Sequence, residues 1–433
     1  MRSRKLTLIA VAVLLAVAPL AACSGTGSVS APTAQPTGNP GVDVQPMAFK
    51  PADSLRPAVS GALGAFSVDL FQRLSAASGG KNVFFSPLSV WLALCMTYNG
   101  ASDSTAAGFA EALHAAGIAL EDLNADNAGL MGILTAADPK VQIAIANSIW
   151  MRKDFTPEVN ADFLNRNRDY YAAAIRGLDF SDDGAADIIN KWVQDNTGGN
   201  IKDLIEPPID HRTVMFLINA VHFQAPWKQS FDPKWTRDDV FTTADGQKVQ
   251  AKYLFREEGN LGYADDSVIA ARIPYAAGRL EMVAILPRQQ ALGDYVRALT
   301  PGMLENIIAQ CGESPMALRF PKFKLDYEAE LSDVLKAMGM EQAFGSKADF
   351  TAMSATMGKE LFISKVRHKS FIEVDEEGTE ASAATSVEIR AKGMSVSLEF
   401  NRPFLYLIRD SRTGAVLFMG AMENQHSTIR HMS

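Results

Sequence analysis

The 433-residue sequence is poor in the residues on which most catalytic and metal sites depend, with 3 cysteines and 6 histidines. It contains no GxSxG, HExxH, paired CxxC, GxxxxGK or GxGxxG motif, and its histidines show no metal-ligand spacing. Catalytic triads are recognised by geometry rather than by motif, so these absences make an enzyme the weaker interpretation without excluding it. We therefore expect no catalytic residues, no metal and no cofactor.

The chain also lacks an excess of positive charge, since 41 Lys and Arg face 49 Asp and Glu, giving a net charge of −8. A chain this acidic is a poor partner for nucleic acids or heparin-like polyanions. Cys95 lies in an apolar run and is predicted to be a buried thiol. A disulfide between Cys95 and Cys311 stays open, because sequence spacing carries no information on geometry.

The first residues of the chain carry the features of a secretory signal, predicted here as residues 1–22. A basic start is followed by an apolar stretch, residues 6–20, which is too short and too rich in alanine for a stable membrane span. The stretch ends Leu20-Ala21-Ala22-Cys23, which resembles a bacterial lipobox. That resemblance implies cleavage before Cys23 and lipidation of its sulfur, and two or three acyl chains anchor a protein stably. Ordinary cleavage near Ala22, with Cys23 left unmodified, is the alternative.

A lipidated mature chain would be secreted across the cytoplasmic membrane and held at the outer, extracytoplasmic face of a bacterial cell. Loss of the three basic residues of the leader would take the net charge from −8 to −11. Residues 23–52 are rich in Ser, Thr, Gly, Pro and Ala, which predicts a flexible tether after the lipid. We expect one folded domain over residues 53–426 and a short tail over residues 427–433.

Residues 376–400, EEGTEASAATSVEIRAKGMSVSLEF, are the stretch around which the chain is organised. From Thr379 to Arg390, small or β-branched residues alternate with mostly polar or charged ones, which is typical of a half-buried β-strand. The first half lacks the bulk that would hold it in a sheet. The segment is therefore able to enter a sheet without being obliged to stay there.

Several motifs in this chain are similar to those of the serpin family, and they occur in the family's order and spacing. They are the hinge that begins at Glu376, FFSPLS at 84–89, NIKDLI at 200–205, LINAVHFQAPW at 217–227, FPKF at 320–323, FNRPFL at 400–405 and GAVLFMG at 414–420. The resemblance implies an α+β fold in which helices surround mixed β-sheets and a reactive-centre loop is exposed. It also implies a monomeric suicide inhibitor of proteases.

The hinge distinguishes an inhibitor from a non-inhibitory serpin that acts as a carrier or binding scaffold. Insertion of the loop into a sheet requires a small residue wherever a side chain must pass between strands. The hinge consists of Glu376, Glu377, Gly378, Thr379, Glu380, Ala381, Ser382, Ala383 and Ala384. Beyond the two glutamates that open it, the hinge has no proline, no aromatic residue and only one charge, on Glu380. This composition favours an inhibitor over a carrier.

The resemblance also implies the position of the bond that the protease cuts. Serpins place the bond that is cut about seventeen residues into the loop, and counting inclusively from Glu376 gives Lys392. Counting back eight residues from Phe400 gives Lys392 again. A scissile bond between Lys392 and Gly393 predicts a trypsin-like target, because lysine suits a specificity pocket with an acidic floor. The bond between Arg390 and Ala391 is the alternative.

Three further residues receive roles only through the resemblance. Serpins place a serine, an asparagine and a histidine in a shutter beneath the central sheet, which here implies Ser86, Asn219 and His368. Heparin-activated serpins carry a basic helix where residues 118–140 of this chain are acidic, so no activation by a glycosaminoglycan is expected.

The local sequence predicts several elements around these positions. Ser86 and Pro87 have the pattern of an N-cap followed by the first residue of a helix. We predict a helix over residues 329–338 and an extended run over residues 361–374 that leads into the loop.

Overall fold

The computed structural model describes residues 7–19, 43–44, 54–376 and 397–425. Its helices are α1 Pro57–Ala77, α2 Pro87–Tyr98, α3 Asp103–Ala112, α4 Leu120–Thr135, α5 Ala161–Tyr171, α6 Ala185–Asn196, α7 Leu292–Arg297, α8 Pro301–Gln310 and α9 Ser332–Leu335. Short 3-10 or π turns cover Thr156–Glu158, Pro233–Trp235, Lys336–Met340 and Glu341–Phe344.

The strands of the described residues form three sheets. They are β1 Thr7–Pro19, β2 Asp43–Val44, β3 Val83–Phe85, β4 Gln142–Arg152, β5 Ala174–Leu178, β6 Met215–Ala225, β7 Arg237–Thr242, β8 Lys248–Arg256, β9 Asn260–Ala264, β10 Val268–Pro274, β11 Leu280–Pro287, β12 Gly312–Ser314, β13 Ala317–Pro321, β14 Phe323–Glu330, β15 Leu361–Val374, β16 Ser397–Glu399, β17 Phe404–Asp410 and β18 Val416–Met422.

Each sheet has a defined strand order. The central sheet runs β14-β15-β1-β6-β4-β5-β2, the second sheet runs β12-β9-β10-β11-β17-β18-β3, and the third runs β16-β13-β8-β7. Parallel pairs occur between β4 and β5 and between β13 and β16, while the other pairs are antiparallel. The expected α+β fold with mixed sheets is confirmed.

Helix α2 lies in the core and contacts the strands β1, β6 and β18. Its sequence PLSVWLALCMTY is apolar on all sides, which is typical of a helix buried on every face. Its Trp91 side chain is fully buried and meets Phe66 of α1 edge-on, with the ring centroids 5.6 Å apart. Helix α2 is therefore packed between α1 and the strands it contacts.

Local sequence signals predict the start of α2 and the whole of β15 correctly. The Ser86 side chain caps α2 by accepting the Ser89 N–H at 3.0 Å, and Pro87 occupies the first helical position. The predicted extended run over residues 361–374 is strand β15 with the same bounds.

The prediction of a helix over residues 329–338 is wrong at its start. Strand β14 continues to Glu330, with alternately buried and exposed side chains, and it pairs with β15 along its length. The helix α9 begins only at Ser332, and the last part of the predicted segment is a π turn around Gly339, whose φ is 116°. Pairing with β15 outweighs the local helical preference of residues 329 and 330.

The two cysteines in the described part of the chain are free thiols. Cys95 and Cys311 are both buried, and burial raises the pKa of Cys95 to about 12 and that of Cys311 to about 11. The prediction of a buried thiol at Cys95 is confirmed, and the disulfide left open by the sequence is not formed. No helix within the described residues is long and apolar enough to cross a membrane.

Candidate site for loop insertion

The base of the predicted reactive loop is fixed at the end of β15. The Trp227 indole N–H donates to the carbonyl of Asp375 at 2.9 Å. Glu376 accepts hydrogen bonds from Lys322 at 2.6 Å and from the Thr236 hydroxyl at 2.8 Å. Burial opposes ionisation of Glu376, but the hydrogen bonds from Lys322 and Thr236 outweigh it and lower its pKa. The first hinge residue is thus held as a carboxylate beside the central sheet.

The rest of the predicted loop lies outside the described residues. This applies to the hinge from Glu377 to Ala384, to the scissile bond between Lys392 and Gly393, and to its alternative at Arg390. It applies equally to the lipidation residue Cys23 and to the predicted tail over residues 427–433. The roles of these residues remain predictions.

The chain re-enters the described structure at β16, which pairs in parallel with β13 on the third sheet. Phe400 follows β16, is fully buried, and packs edge-on against Phe320 and Phe404 at centroid distances of 5.4 and 5.3 Å. The two ends of the loop are therefore attached to different sheets: one is Glu376 at the central sheet, and the other is β16 at the third.

Ser86 lies at the centre of a buried network beneath the central sheet. Its hydroxyl donates to the carbonyl of Leu417 at 2.6 Å, and its backbone N–H donates to Nε2 of His368 at 3.3 Å. Both Ser86 and His368 have no exposed surface. A buried polar group of this kind costs free energy unless it is hydrogen-bonded. The network supplies partners for Ser86 and for Nε2 of His368, whereas Nδ1 of His368 has no partner among the described residues.

Asn219 joins the same network through Ser89 rather than through Ser86. The Ser89 hydroxyl donates to the Asn219 side-chain oxygen. The Asn219 amide donates to the Asn147 side-chain oxygen at 2.7 Å, and the Asn147 amide donates to the carbonyl of Tyr171 at 2.7 Å. The structure thus brings the three predicted shutter residues together at the N-terminal end of α2, while their role as a shutter stays a prediction.

His368 is a neutral imidazole in this network. Burial lowers its pKa from 6.5 to about 3. Nε2 accepts the Ser86 N–H, so the proton of the neutral ring is on Nδ1, and the ring lies edge-on to Phe85 at a centroid distance of 6.4 Å. A protonated His368 would place an unpaired charge in the core, which is costly.

The strand β1 lies between β6 and β15 and is antiparallel to both of them. The strands β6 and β15 are therefore parallel to each other and are separated by one strand position. Leu15 of β1 is buried in the main core with α2, whereas Leu14 is buried on the opposite face with residues of α6 and the segment after it. Both faces of the sheet are covered at this point, which suits a continuously apolar strand.

The FPKF motif contains Lys322, the LINAVHFQAPW motif contains Trp227, and the predicted extended run contains Ser370, but the sequence assigned none of the three a role. Lys322 and Trp227 hold the base of the loop, and the Ser370 hydroxyl donates to the carbonyl of Phe84 at 2.6 Å. No sequence signal singled out Asn147, whose side chain bonds Asn219 and the carbonyl of Tyr171.

Comparison with known proteins identifies the family. Residues 61–425 match the sequence profile of the family described as Serpin (serine protease inhibitor). The chain belongs to the serpin family.

Curated serpins of very different organisms are similar to this chain over most of its length. Human neuroserpin is 35% identical over 379 residues, which cover 83% of this chain and 90% of neuroserpin. Rice serpin-ZXA is 35% identical over 367 residues, which cover 81% of this chain and 91% of the rice protein. These serpins thus align with the chain along nearly their whole length.

Solved serpin structures have the same fold as this serpin. The thermophilic serpin tengpin in its native state superposes with a TM-score of 0.75 at 33% identity, covering 87% of this chain and 97% of tengpin. Human thyroxine-binding globulin, solved with thyroxine, superposes with a TM-score of 0.74 at 26% identity, covering 85% of this chain and 99% of the globulin. The family and its fold are therefore shown.

Proposed function

We propose that this serpin inhibits a trypsin-like serine protease by inserting its cut reactive loop into the central sheet. The observation that carries the proposal is the strand position between β6 and β15, which accepts a strand antiparallel to both neighbours. Glu376 lies at the end of β15, so a loop that turned back there would run antiparallel to β15, in the direction required. Insertion of a reactive loop is the recognised mechanism of the family.

In the first step the protease serine attacks the carbonyl carbon of Lys392. An ester forms between the serine Oγ and that carbon, the peptide bond to Gly393 breaks, and Gly393 leaves with a free amine. The cut loop is then released from the third sheet, to which β16 attaches it. Residues 379–392 would span roughly 45 Å as a strand at ~3.3 Å per residue, which carries the protease to the far end of the sheet.

Insertion competes with hydrolysis of the ester. The hinge supports rapid insertion because its inward positions carry small residues, which cost little to pass between strands. The positions of Glu376 and the Ser86 network support the same function, because Glu376 holds the base of the loop and the network lies beside the strand position that the loop would enter. Trapping follows when insertion is faster than deacylation.

The test is incubation of the chain from residue 52 with trypsin and a panel of other serine proteases. This portion contains all of residues 61–425, which match the family. An adduct that survives SDS, together with a released C-terminal peptide that begins at Gly393, would support the proposal. A peptide that begins at Ala391 would move the scissile bond to Arg390.

The alternative function is that of a carrier, as the similarity to thyroxine-binding globulin permits. The same assay separates the two functions, because a carrier would be cleaved or ignored by every protease in the panel and would form no adduct. The hinge composition is the observation that favours inhibition.

We also propose that the mature chain acts as a monomer anchored by a lipid on Cys23 at the outer face of the cytoplasmic membrane. The lipobox-like sequence before Cys23 and the tether-like composition of residues 23–52 support this location. A tether of that length would let the serpin domain meet proteases outside the cell.

A further inference from the structure

The strand position that an inserted loop would need is already filled in this structure by β1. The position is bounded by β6 on one side and β15 on the other, and β1 pairs with β6 over residues 7–17 and with β15 over residues 8–19. Leu8 lies opposite Glu373 near the end of β15, and Pro19 lies opposite Leu361 at its start. The strand β1 therefore begins beside the base of the loop and runs away from it, as an inserted loop would.

The length of β1 also matches that of the loop. Residues 379–392 are fourteen residues long, and β1 has 13. Two strands of this length cannot occupy one position between β6 and β15, because each backbone group of the flanking strands pairs only once. Occupation by β1 and insertion of the loop therefore exclude each other.

The composition of the two segments favours β1 over the loop. The sequence of β1, TLIAVAVLLAVAP, carries no charged residue, whereas residues 379–392 carry Glu380, Glu388, Arg390 and Lys392. Burial of apolar surface is the main favourable term, at about 25 cal/mol per Å². The described side chains agree with this argument, since Leu14 and Leu15 are 4% and 0% exposed.

The geometry points to residues 7–19 as an internal plug of the loop-insertion site. While these residues are attached, the serpin presents its loop to a protease but has no position for the cut loop, so it is cleaved as a substrate. Removal of residues 1–22 before Cys23 opens the position between β6 and β15 and makes the chain an inhibitor. Cleavage before Cys23 would then also be the activation step, and a chain that kept residues 1–22 would not inhibit the proteases around it. This inference rests on the proposed inhibitory function.

The experiment compares the full chain with a variant in which the plug cannot be buried. Leu15→Arg places a charge in the core beneath the sheet and should expel β1. Ile188→Arg makes the same kind of change on α6 at a side chain that is 47% exposed, and it is the matched control. Trypsin is the probe, and the readouts are SDS-stable adduct and hydrogen exchange of residues 7–19.

We expect the full chain and Ile188→Arg to be cleaved with little adduct, and Leu15→Arg to form at least ~10-fold more adduct. Amides of residues 7–19 should be protected from exchange in the full chain and unprotected in Leu15→Arg. A gain of trapping cannot result from misfolding, since a misfolded serpin would lose it.

The two proposals can fail separately. Abundant and equal adduct from the full chain and from Leu15→Arg would overturn the plug and leave inhibition standing. Unprotected amides in residues 7–19 of the full chain would also overturn the plug. The inhibitory function would be overturned if neither Leu15→Arg nor the chain that starts at residue 52 formed an adduct. Protected amides of residues 7–19 in the full chain would then still support the position of these residues in the sheet.

Discussion

Asn219 and His368 lie on the two strands that flank β1, and both are opposite Val13 in the register of the central sheet. Each side chain reaches the N-terminal end of α2, where Asn219 accepts from the Ser89 hydroxyl and His368 accepts from the Ser86 N–H. The two strands are thus tied to one helix end at the level where a strand enters between them. These four residues therefore lie together at the strand position between β6 and β15.

Substitution of Thr379 by arginine should convert the inhibitor into a substrate. Thr379 opens the inward set of the loop, so it is the first side chain to be buried on insertion, and burial of an unpaired arginine costs several kcal/mol. Each ~1.4 kcal/mol added to the insertion barrier slows insertion tenfold, and deacylation then wins. Measurement of adduct against free, active protease on the chain from residue 52 tests this.

The control for this prediction is Glu380→Arg, on the outward face of the loop, which should trap protease nearly as well as the unchanged chain. If Thr379→Arg traps equally well, the inward position of Thr379 and the register of insertion derived from it have to be abandoned.

Substitution of Lys392 by alanine should slow the reaction with trypsin by two or more orders of magnitude. This corresponds to a loss of transition-state binding free energy on the order of 3 kcal/mol. The lysine side chain would lose its partner in the acidic specificity pocket, whereas the hinge that drives insertion is unchanged. The second-order rate constant of adduct formation by the chain from residue 52 is the measurement. Arg390→Ala is the matched control, and if it causes the larger loss the bond at Arg390 is the scissile one.

Substitution of Cys23 by serine should release the protein from the membrane or leave it unprocessed. A serine hydroxyl cannot form the thioether that carries the lipid, and without acyl chains the acidic domain has little affinity for a membrane surface. Fractionation of cells and the mobility of the protein on a gel test this. A variant that stays with membranes and migrates like the unchanged protein would contradict lipidation at Cys23.

His368 should make the folded state less stable as the pH falls. Burial lowers its pKa from 6.5 to about 3, so between these values the unfolded chain binds a proton that the folded chain does not. The stabilising contribution is complete above pH 6.5 and is lost as the pH falls towards 3, at up to about 1.4 kcal/mol per pH unit. His368→Gln, whose side-chain oxygen can accept the Ser86 N–H, should reduce this slope.

The measurement is the free energy of unfolding of the unchanged protein and of His368→Gln at pH 7 and at pH 5, and the difference between the two pH values is compared. His211→Gln removes an imidazole that is 92% exposed and serves as the control. An unchanged pH slope in His368→Gln would mean that the ring takes up its proton in the folded protein as readily as in the unfolded one.

The sequence by itself determined the elements whose signals are local. The cap at Ser86, the proline that follows it and the apolar α2 are read directly, because a cap and an all-apolar helix depend on residues within a few positions. The extended run over β15 was also predicted from local sequence, and the serpin motifs implied the fold class and the family. The loop, its hinge and its scissile bond also come from the sequence alone, and they remain predictions.

Only the tertiary structure decided which residues meet across the chain. Glu376 meets Lys322 and Trp227 meets the backbone of Asp375 because β14, β15 and the end of β6 converge there, and no local pattern encodes such a meeting. Pairing with β15 set the end of β14, which propensity misplaced. The place of residues 7–19 was decided in the same way. The local sequence predicts a leader there and gives no sign of a strand, because the pairing edges of β6 and β15 that residues 7–19 occupy are formed by residues far away in the chain.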